Sequence, residues 1–318
     1  MKKTTFIGVF AVMLVLAFFG CDNGNNNNGH THTWAWTAST VWGMENGACN
    51  GCTETRLRLS PDMKAQIPAG NIALSSTFTV TLSTFKIGKY QITQAQNEAV
   101  TGNNPSYFDG SIGGSLYEKD TPTGEIQEKR PVEQVTWYDA VEFCNKLSVL
   151  EGLTPVYTIT GRTPKNGYPI TAAAVTADFT KNGYHLPTEA QWEYACRAGS
   201  TGYYSIDILG NEVTSSNLGE YAWSYTNSDS KTHEVGKKTA NAFGLYDMHG
   251  NVWEWCWDLY GTYPSEPKTD YTGTVVGSDR AVRGGGWGDS AEYGVFSARG
   301  SYYPGGWNRG LGFRLVCP

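Results

Sequence analysis

Apolar residues recur at helical spacing in three short stretches, and each stretch begins on a threonine. Thr93-Gln-Ala-Gln96 reads as a capping box that leads into Ala95, Ala99 and Val100. The threonine oxygen accepts from a first-turn N–H, and the side chain three residues on reciprocates. Thr136 and Asp139 open the second stretch, with Trp137, Ala140, Val141, Cys144 and Leu147 on one face. Thr188 and Gln191 open the third, with Trp192, Ala195 and Cys196 inward. Elsewhere the period is two or absent. Residues 78–82 alternate as a half-buried strand would, and residues 85–90 read as a second strand. Past residue 200 no helical period persists. Residues 244–255 and 280–317 read as short strands joined by glycine turns. Residues 164–167 and 181–183 are turn signals within an excursion between the second and third helices. The pattern predicts a loop-rich α+β fold with few helices and short antiparallel strands.

The first 33 residues carry a different pattern. Lys2 and Lys3 precede an apolar run over residues 6–19, too short for a comfortable membrane span. The run ends in Phe18-Phe19-Gly20-Cys21, which resembles a bacterial lipoprotein signal cleaved before Cys21 and lipidated there. Phe18 stands where such signals usually have leucine, so ordinary signal-peptidase cleavage and secretion is the alternative. Residues 22–33 are polar and asparagine-rich and read as a flexible tether. Residues 34–66 are tryptophan-rich and poorly patterned and read as an N-terminal elaboration, with one domain expected over 67–318. The expected location is the cell surface or outer membrane, held by the lipid.

Six cysteines remain beyond Cys21, and an even number in an exported protein permits disulfides. Cys49 and Cys52 have the spacing of a redox pair or half a zinc site. With no second pair and no histidine pair nearby in sequence, the residues favour a local disulfide or two thiols over zinc. Cys144 and Cys196 read as buried small hydrophobes.

The net charge of −6 comes without a basic stripe, which argues against a nucleic-acid partner. Glycine, tyrosine and tryptophan are abundant, and they concentrate near the C-terminus. Between Gly286 and Gly310 the chain is mostly Gly, Ser, Tyr and Trp, and its charged residues are Asp289, Glu292, Arg299 and Arg309. Such a mixture is the vocabulary of a binding surface: large aromatic contact area at low entropic cost, with small residues that adapt around it.

Eight ordered motifs carry a family resemblance. They are Ile67-Pro-Ala-Gly70, residues 90–96, Gly102-Asn-Asn-Pro-Ser-Tyr-Phe108, residues 131–140, residues 185–195, residues 241–255, Arg283-Gly-Gly-Gly-Trp287 and Gly312-Phe-Arg-Leu315. Through them the chain resembles the formylglycine-generating-enzyme, or sulfatase-modifying factor, family, whose fold is C-type-lectin-like. The resemblance implies structural calcium held by loop oxygens in many members. Asp247, Asn251 and Glu254 are an oxygen-bearing set that suggests a metal, although the motifs assign no ligands. Enzymes of the family carry a cysteine pair after the Arg-Gly-Gly turn for copper- and oxygen-dependent chemistry. Here residues 287–299 hold no cysteine, with Asp289 and Gly294 near the expected positions. A second enzymatic branch resembles iron-dependent sulfoxide synthases with histidine ligands. Of the five histidines, His30 and His32 fall in the tether, while His185, His233 and His249 lie farther along the chain. His185 and His249 sit inside fold motifs and read as structural. The expectation is a protein that is not an enzyme and needs no cofactor. The alternatives are a formylglycine-generating oxidase or a fixed-specificity envelope binding protein.

The tail resembles the C-terminal segments of lectin-fold proteins diversified by a retroelement, in which randomised adenines turn asparagine-type codons into Tyr, Gly, Ser, Asp, Phe and Ala. On this resemblance the expected binding patch is Gly288, Asp289, Ser290, Glu292, Tyr293, Gly294, Phe296, Ser297, Gly300, Ser301, Tyr302, Tyr303, Gly305, Gly306, Trp307 and Gly310. Tyr302, Tyr303 and Trp307 read as exposed loop aromatics, whereas Trp287 fits a scaffold role and a rim role equally. Arg299, Arg314 and Glu254 read as internal ion-pair partners. The expected partner is a variable macromolecule, a protein in preference to a small molecule.

Overall fold

Helix formation follows the local capping signals closely. In the computed structural model, which describes residues 32–111 and 120–317, the three helices are α1 (Gln94–Thr101), α2 (Trp137–Glu151) and α3 (Glu189–Arg197). Thr93, Thr136 and Thr188 each accept from the backbone N–H three residues on, and Gln96, Asp139 and Gln191 reciprocate. α1 and α2 stop at Gly102 and Gly152 in left-handed conformation. α2 buries Trp137, Phe143, Cys144 and Leu147, and α3 buries Trp192, Ala195 and Cys196. The signal segment, Cys21, His30 and most of the tether lie outside the described residues. Among the described residues no helix is long and apolar enough to cross a membrane.

The strands are short. In chain order they are β1 (Trp34–Ala38), β2 (Met44–Cys49), β3 (Thr55–Leu59), β4 (Lys64–Ile67), β5 (Gly70–Ala73), β6 (Thr79–Leu82), β7 (Phe85–Gly88), β8 (Tyr157–Thr163) and β9 (Ala172–Ala177). They continue with β10 (Trp253–Leu259), β11 (Lys268–Thr269), β12 (Arg280–Arg283), β13 (Arg299–Tyr302), β14 (Leu311–Gly312) and β15 (Val316–Cys317). The sheets run β1-β2-β3, β13-β12-β10-β14, β11-β6-β5 and β15-β7-β4, with β8-β9 as a separate hairpin. Pairing is antiparallel except for β10 with β14 and β11 with β6.

Two expectations change. Residues 34–66 are ordered strands. The pattern hid this because Trp34 and Trp36 are covered by arginine planes instead of apolar side chains, Arg56 at 4.1 Å and Arg58 at 3.9 Å. Gly47 gives Trp36 its seat, since a Cβ there would fall 2.9 Å from the indole. β4 pairs along its length with β7, so the central sheets begin before residue 67. The excursion between α2 and α3 holds the β8-β9 hairpin, with residues 164–167 in its connection.

The core also contains buried charges. Arg314 lies against Glu254 at 2.6 Å and 2.7 Å, with both side chains fully buried. Arg283 pairs with Glu189 and Glu193, and Arg299 reaches Glu189 at 2.6 Å and 2.8 Å. These are the internal ion pairs expected for Arg299, Arg314 and Glu254. They tie α3 to β12 and β13, and the segment after β14 to β10.

Candidate ligand-binding site

The glycine- and aromatic-rich segment leaves β12 through Gly284 and Gly285. Gly285 has φ +74°, and a Cβ there would meet the Tyr293 carbonyl at 3.0 Å, so the turn requires glycine. The chain then runs through a loop at 286–290, a 3₁₀ turn at Ala291–Gly294, β13 and a second loop at 303–310 before entering β14. The loops 286–290 and 303–310 enclose an open cleft of about 530 Å³ with Gln134 and Trp253.

Its walls are fixed by hydrogen bonds. Asp289 Oδ2 accepts from the Trp253 indole N–H at 2.7 Å and from the Gly286 N–H at 2.9 Å. The Asp289 carbonyl accepts from the Tyr225 N–H at 2.9 Å. Trp287 donates its indole N–H to the Arg309 carbonyl at 2.9 Å, accepts from the Ser228 hydroxyl and sets its ring edge-on to Phe108 at 5.4 Å. Arg309 lies over the Tyr107 ring at 3.9 Å. Trp287 is therefore both scaffold and rim.

The expected patch divides by exposure. Gly288, Ser290, Glu292, Tyr293, Ser297, Ser301, Tyr303 and Trp307 face solvent, with Tyr293, Tyr303 and Trp307 exposing 48%, 57% and 42% of their surface. Open space surrounds Gly288, where any side chain would fit. Asp289, Gly300, Tyr302, Gly306 and Gly310 are half-buried.

Three members of the patch are inside. Phe296 packs in the core under Arg197, whose guanidinium lies 3.8 Å from the ring. Gly294 presses on the His249 carbonyl, and Gly305 presses on the Thr171 carbonyl, where a Cβ would come within 2.2 Å. Tyr302 is also corrected. It is not a loop residue but the end of β13, and it packs on Trp255 at 6.1 Å. Gly300 is small because a Cβ there would meet its cross-strand neighbour Val282 at 2.8 Å and Trp253 at 3.2 Å.

The sequence profile of the sulfatase-modifying factor enzyme 1-like domain matches residues 51–317. The chain belongs to that family. Within it, the Chaperone protein LppX of Paenibacillus barcinonensis is 37% identical over 253 residues, covering 74% of this chain and 81% of that one. The solved structure of Treponema denticola variable protein 1 superposes with a TM-score of 0.68 at 38% identity, covering 83% of this chain and 96% of that one. The formylglycine-generating enzyme of Streptomyces coelicolor is 35% identical over 149 residues, which is 42% of this chain and 46% of the enzyme. The match thus spans less than half of that enzyme.

The residues present do not fit the family's metal chemistry. Near the expected thiol positions stand Asp289, whose carboxylate is held by Trp253 and Gly286, and Gly294, which has no side chain. This pair offers no thiolate, so a family-type copper site does not fit. Calcium does not fit the Asp247, Asn251 and Glu254 set either. Both Glu254 oxygens accept from Arg314, with Trp192 and Gln91 as further donors, and the Asn251 amide is bonded to the His233 backbone. Asp247 Oδ1 is buried without a hydrogen-bond partner, but the Gln91 side-chain N–H₂ already donates to the carbonyls of Asp247, Gly250 and Val252. Histidines inside the fold motifs are likewise committed. His249 bonds the Gly294 carbonyl at 2.6 Å and Ser205 at 2.7 Å, and His185 bonds the Leu186 carbonyl. Burial pushes both imidazoles down to about 4.

Six cleft residues lie outside the expected patch: Gln134, Trp253, Gly286, Trp287, Asn308 and Arg309. Gln134 is the notable one. It holds φ +60° without being glycine, and its N–H donates to the Asn308 carbonyl at 3.0 Å. Its place in the 131–140 motif was the available signal.

Next to it, Glu133 is fully buried and accepts from the Phe108 N–H at 2.9 Å. Burial pushes its carboxyl up to about 8, from an ordinary value of 4.5. A raised folded pKa contributes stability that is complete below the unfolded value and is lost as pH rises through the folded value. Stability should therefore fall between pH 5 and pH 9 by on the order of 4 kcal/mol from this group. Glu133→Gln should flatten that alkaline loss, as read by chemical denaturation across pH. An unchanged pH slope would remove Glu133 as its source.

Proposed function

We propose that this chain is a non-catalytic ligand-binding protein whose segment 288–310 is a diversified receptor surface, displayed at the cell surface through a lipid on Cys21. The observation that carries the reading is the cluster of exposed aromatics, Tyr293, Tyr303 and Trp307, on loops whose backbones are tied to a rigid scaffold. Exposed aromatic clusters of this kind mark partner surfaces. A fixed backbone lets side chains change while little ordering entropy is lost on binding. The 38% identity to a Treponema denticola variable protein over 96% of that chain supports the same reading. The absence of cysteine from residues 287–299 supports a non-catalytic role, since the family's thiol chemistry has no nucleophile there. An open, aromatic-rimmed cleft with no basic patch suits a protein epitope more than a nucleic acid.

Sequencing the 3′ end of this gene and its flanking DNA in many isolates tests the proposal. The expected result is variation confined to codons 288–310 and concentrated at outward positions such as Gly288, Ser290, Tyr293, Ser301, Tyr303 and Trp307, with Phe296, Gly294 and Gly305 held constant. The changes should match adenines in a nearby template repeat beside a reverse transcriptase. An invariant tail with no template would sink the diversified surface and leave a single-specificity binder.

A further inference from the structure

The N-terminal sheet brings together a donor set that the sequence keeps 17 residues apart. β1 and β2 pair with Trp34 opposite Cys49, so His32, just before β1, lies beside the end of β2. The Asn50 N–H donates to the Thr33 carbonyl at 3.0 Å, and the Cys49 N–H donates to the Glu54 carbonyl at 3.1 Å. These bonds fold the Cys49-Asn-Gly-Cys52 turn back over the imidazole. His32 Nδ1 stands 3.2 Å from Cys49 Sγ and 3.7 Å from Cys52 Sγ, and all three ligand atoms fall within 4.8 Å of one another.

We propose that His32, Cys49 and Cys52 form a structural zinc site, with the fourth position closed by the Glu54 carboxylate or a water. The distances fit. A tetrahedral ion with Zn–S of about 2.3 Å and Zn–N of about 2.05 Å places sulfur and nitrogen about 3.6 Å apart, between the two separations observed. Glu54 Oε2 is 3.4 Å from His32 Nδ1, close enough to turn onto the same ion.

Surrounding groups hold the donor set in place. The Glu54 N–H points at Cys52 Sγ at 3.4 Å. Arg56 lies 3.5 Å from Glu54 Oε1, and it would offset the net negative charge of two thiolates and a carboxylate on a divalent cation. The imidazole plane is fixed by stacking on Trp34 at 5.8 Å and 12°, and Trp34 is clamped from its neighbour side by Arg56. Imidazole with two thiolates is a donor set for zinc in preference to calcium or magnesium. Such an ion would fasten the chain at the point where the tether enters the fold. The site is separate from the cleft and does not depend on the proposed function.

The test uses the full-length chain, reduced and freed of metal. Added Zn²⁺ should bind at one ion per chain and should protect Cys49 and Cys52 from alkylation in peptide maps. Co²⁺ as a probe should give the intense visible absorption and thiolate charge-transfer bands of a tetrahedral sulfur site. His32→Ala and Cys52→Ser, both away from the main core, should lower affinity by about 100-fold or more, beyond what loss of an outer-shell partner costs. Both variants should keep the far-UV spectrum. Zinc-independent alkylation together with featureless Co²⁺ spectra would overturn the proposal without recourse to any variant. A Cys49–Cys52 disulfide in the chain isolated from its own cells would overturn it as well.

Discussion

Phe296→Ala should destabilise this protein by about 3–5 kcal/mol, whereas Tyr303→Ala and Trp307→Ala should each stay within about 1 kcal/mol. All three residues lie in one 23-residue stretch of similar composition, yet only Phe296 is a core residue, 3% exposed. Truncating it opens a cavity in the core cluster it shares with Trp192, Cys196 and Ala281, and it strips Arg197 of the ring it covers. Tyr303 and Trp307 touch the core little, so their loss returns exposed area to water at small cost. Urea denaturation of the three variants decides the matter. Equal losses in all three would mean that the segment is one packed unit and not a scaffold with an outward face.

The second large effect concerns Arg314. Its guanidinium holds both oxygens of Glu254 and also donates to the carbonyls of Gly88 and Tyr246. Arg314→Met fills comparable volume but leaves Glu254 charged and fully buried, with Trp192 and Gln91 as its remaining donors. Breaking a buried pair in this way should cost about 3–5 kcal/mol. Adding Glu254→Gln to Arg314→Met should recover much of that loss, because the stranded charge is gone. A single variant within about 1 kcal/mol of the parent would show that the pair does not organise the core.

The helices were legible because their signals are local: each capping box lies within four residues, and three threonines announced three helices. Strand pairing was not legible. β10 meets β14, and β7 meets β15, across more than 50 and 200 residues respectively, and nothing in a short window reports such partners. The N-terminal sheet was hidden because arginine, not leucine or valine, covers its tryptophans. In the candidate site, composition located the segment but could not sort it. Glycine serves at Gly288 as open surface and at Gly305 as a close backbone crossing, and aromatics serve at Tyr303 outside and at Phe296 inside. His32 was assigned to the tether because its neighbours Cys49 and Cys52 come near only through the β1-β2 register.

The last seven residues described, 311–317, are all buried, and they supply β14 to β10, β15 to β7, Phe313 to the core and Arg314 to Glu254. The fold is thus fastened by its final stitch. A chain interrupted anywhere within 288–310 lacks the strands that β7 and β10 require, together with the cation that Glu254 requires. Such a product would expose its interior and be open to proteolysis instead of persisting as a misfolded chain. Holding the aromatic segment between β12 and this indispensable stretch therefore builds proofreading of the reading frame into the architecture itself.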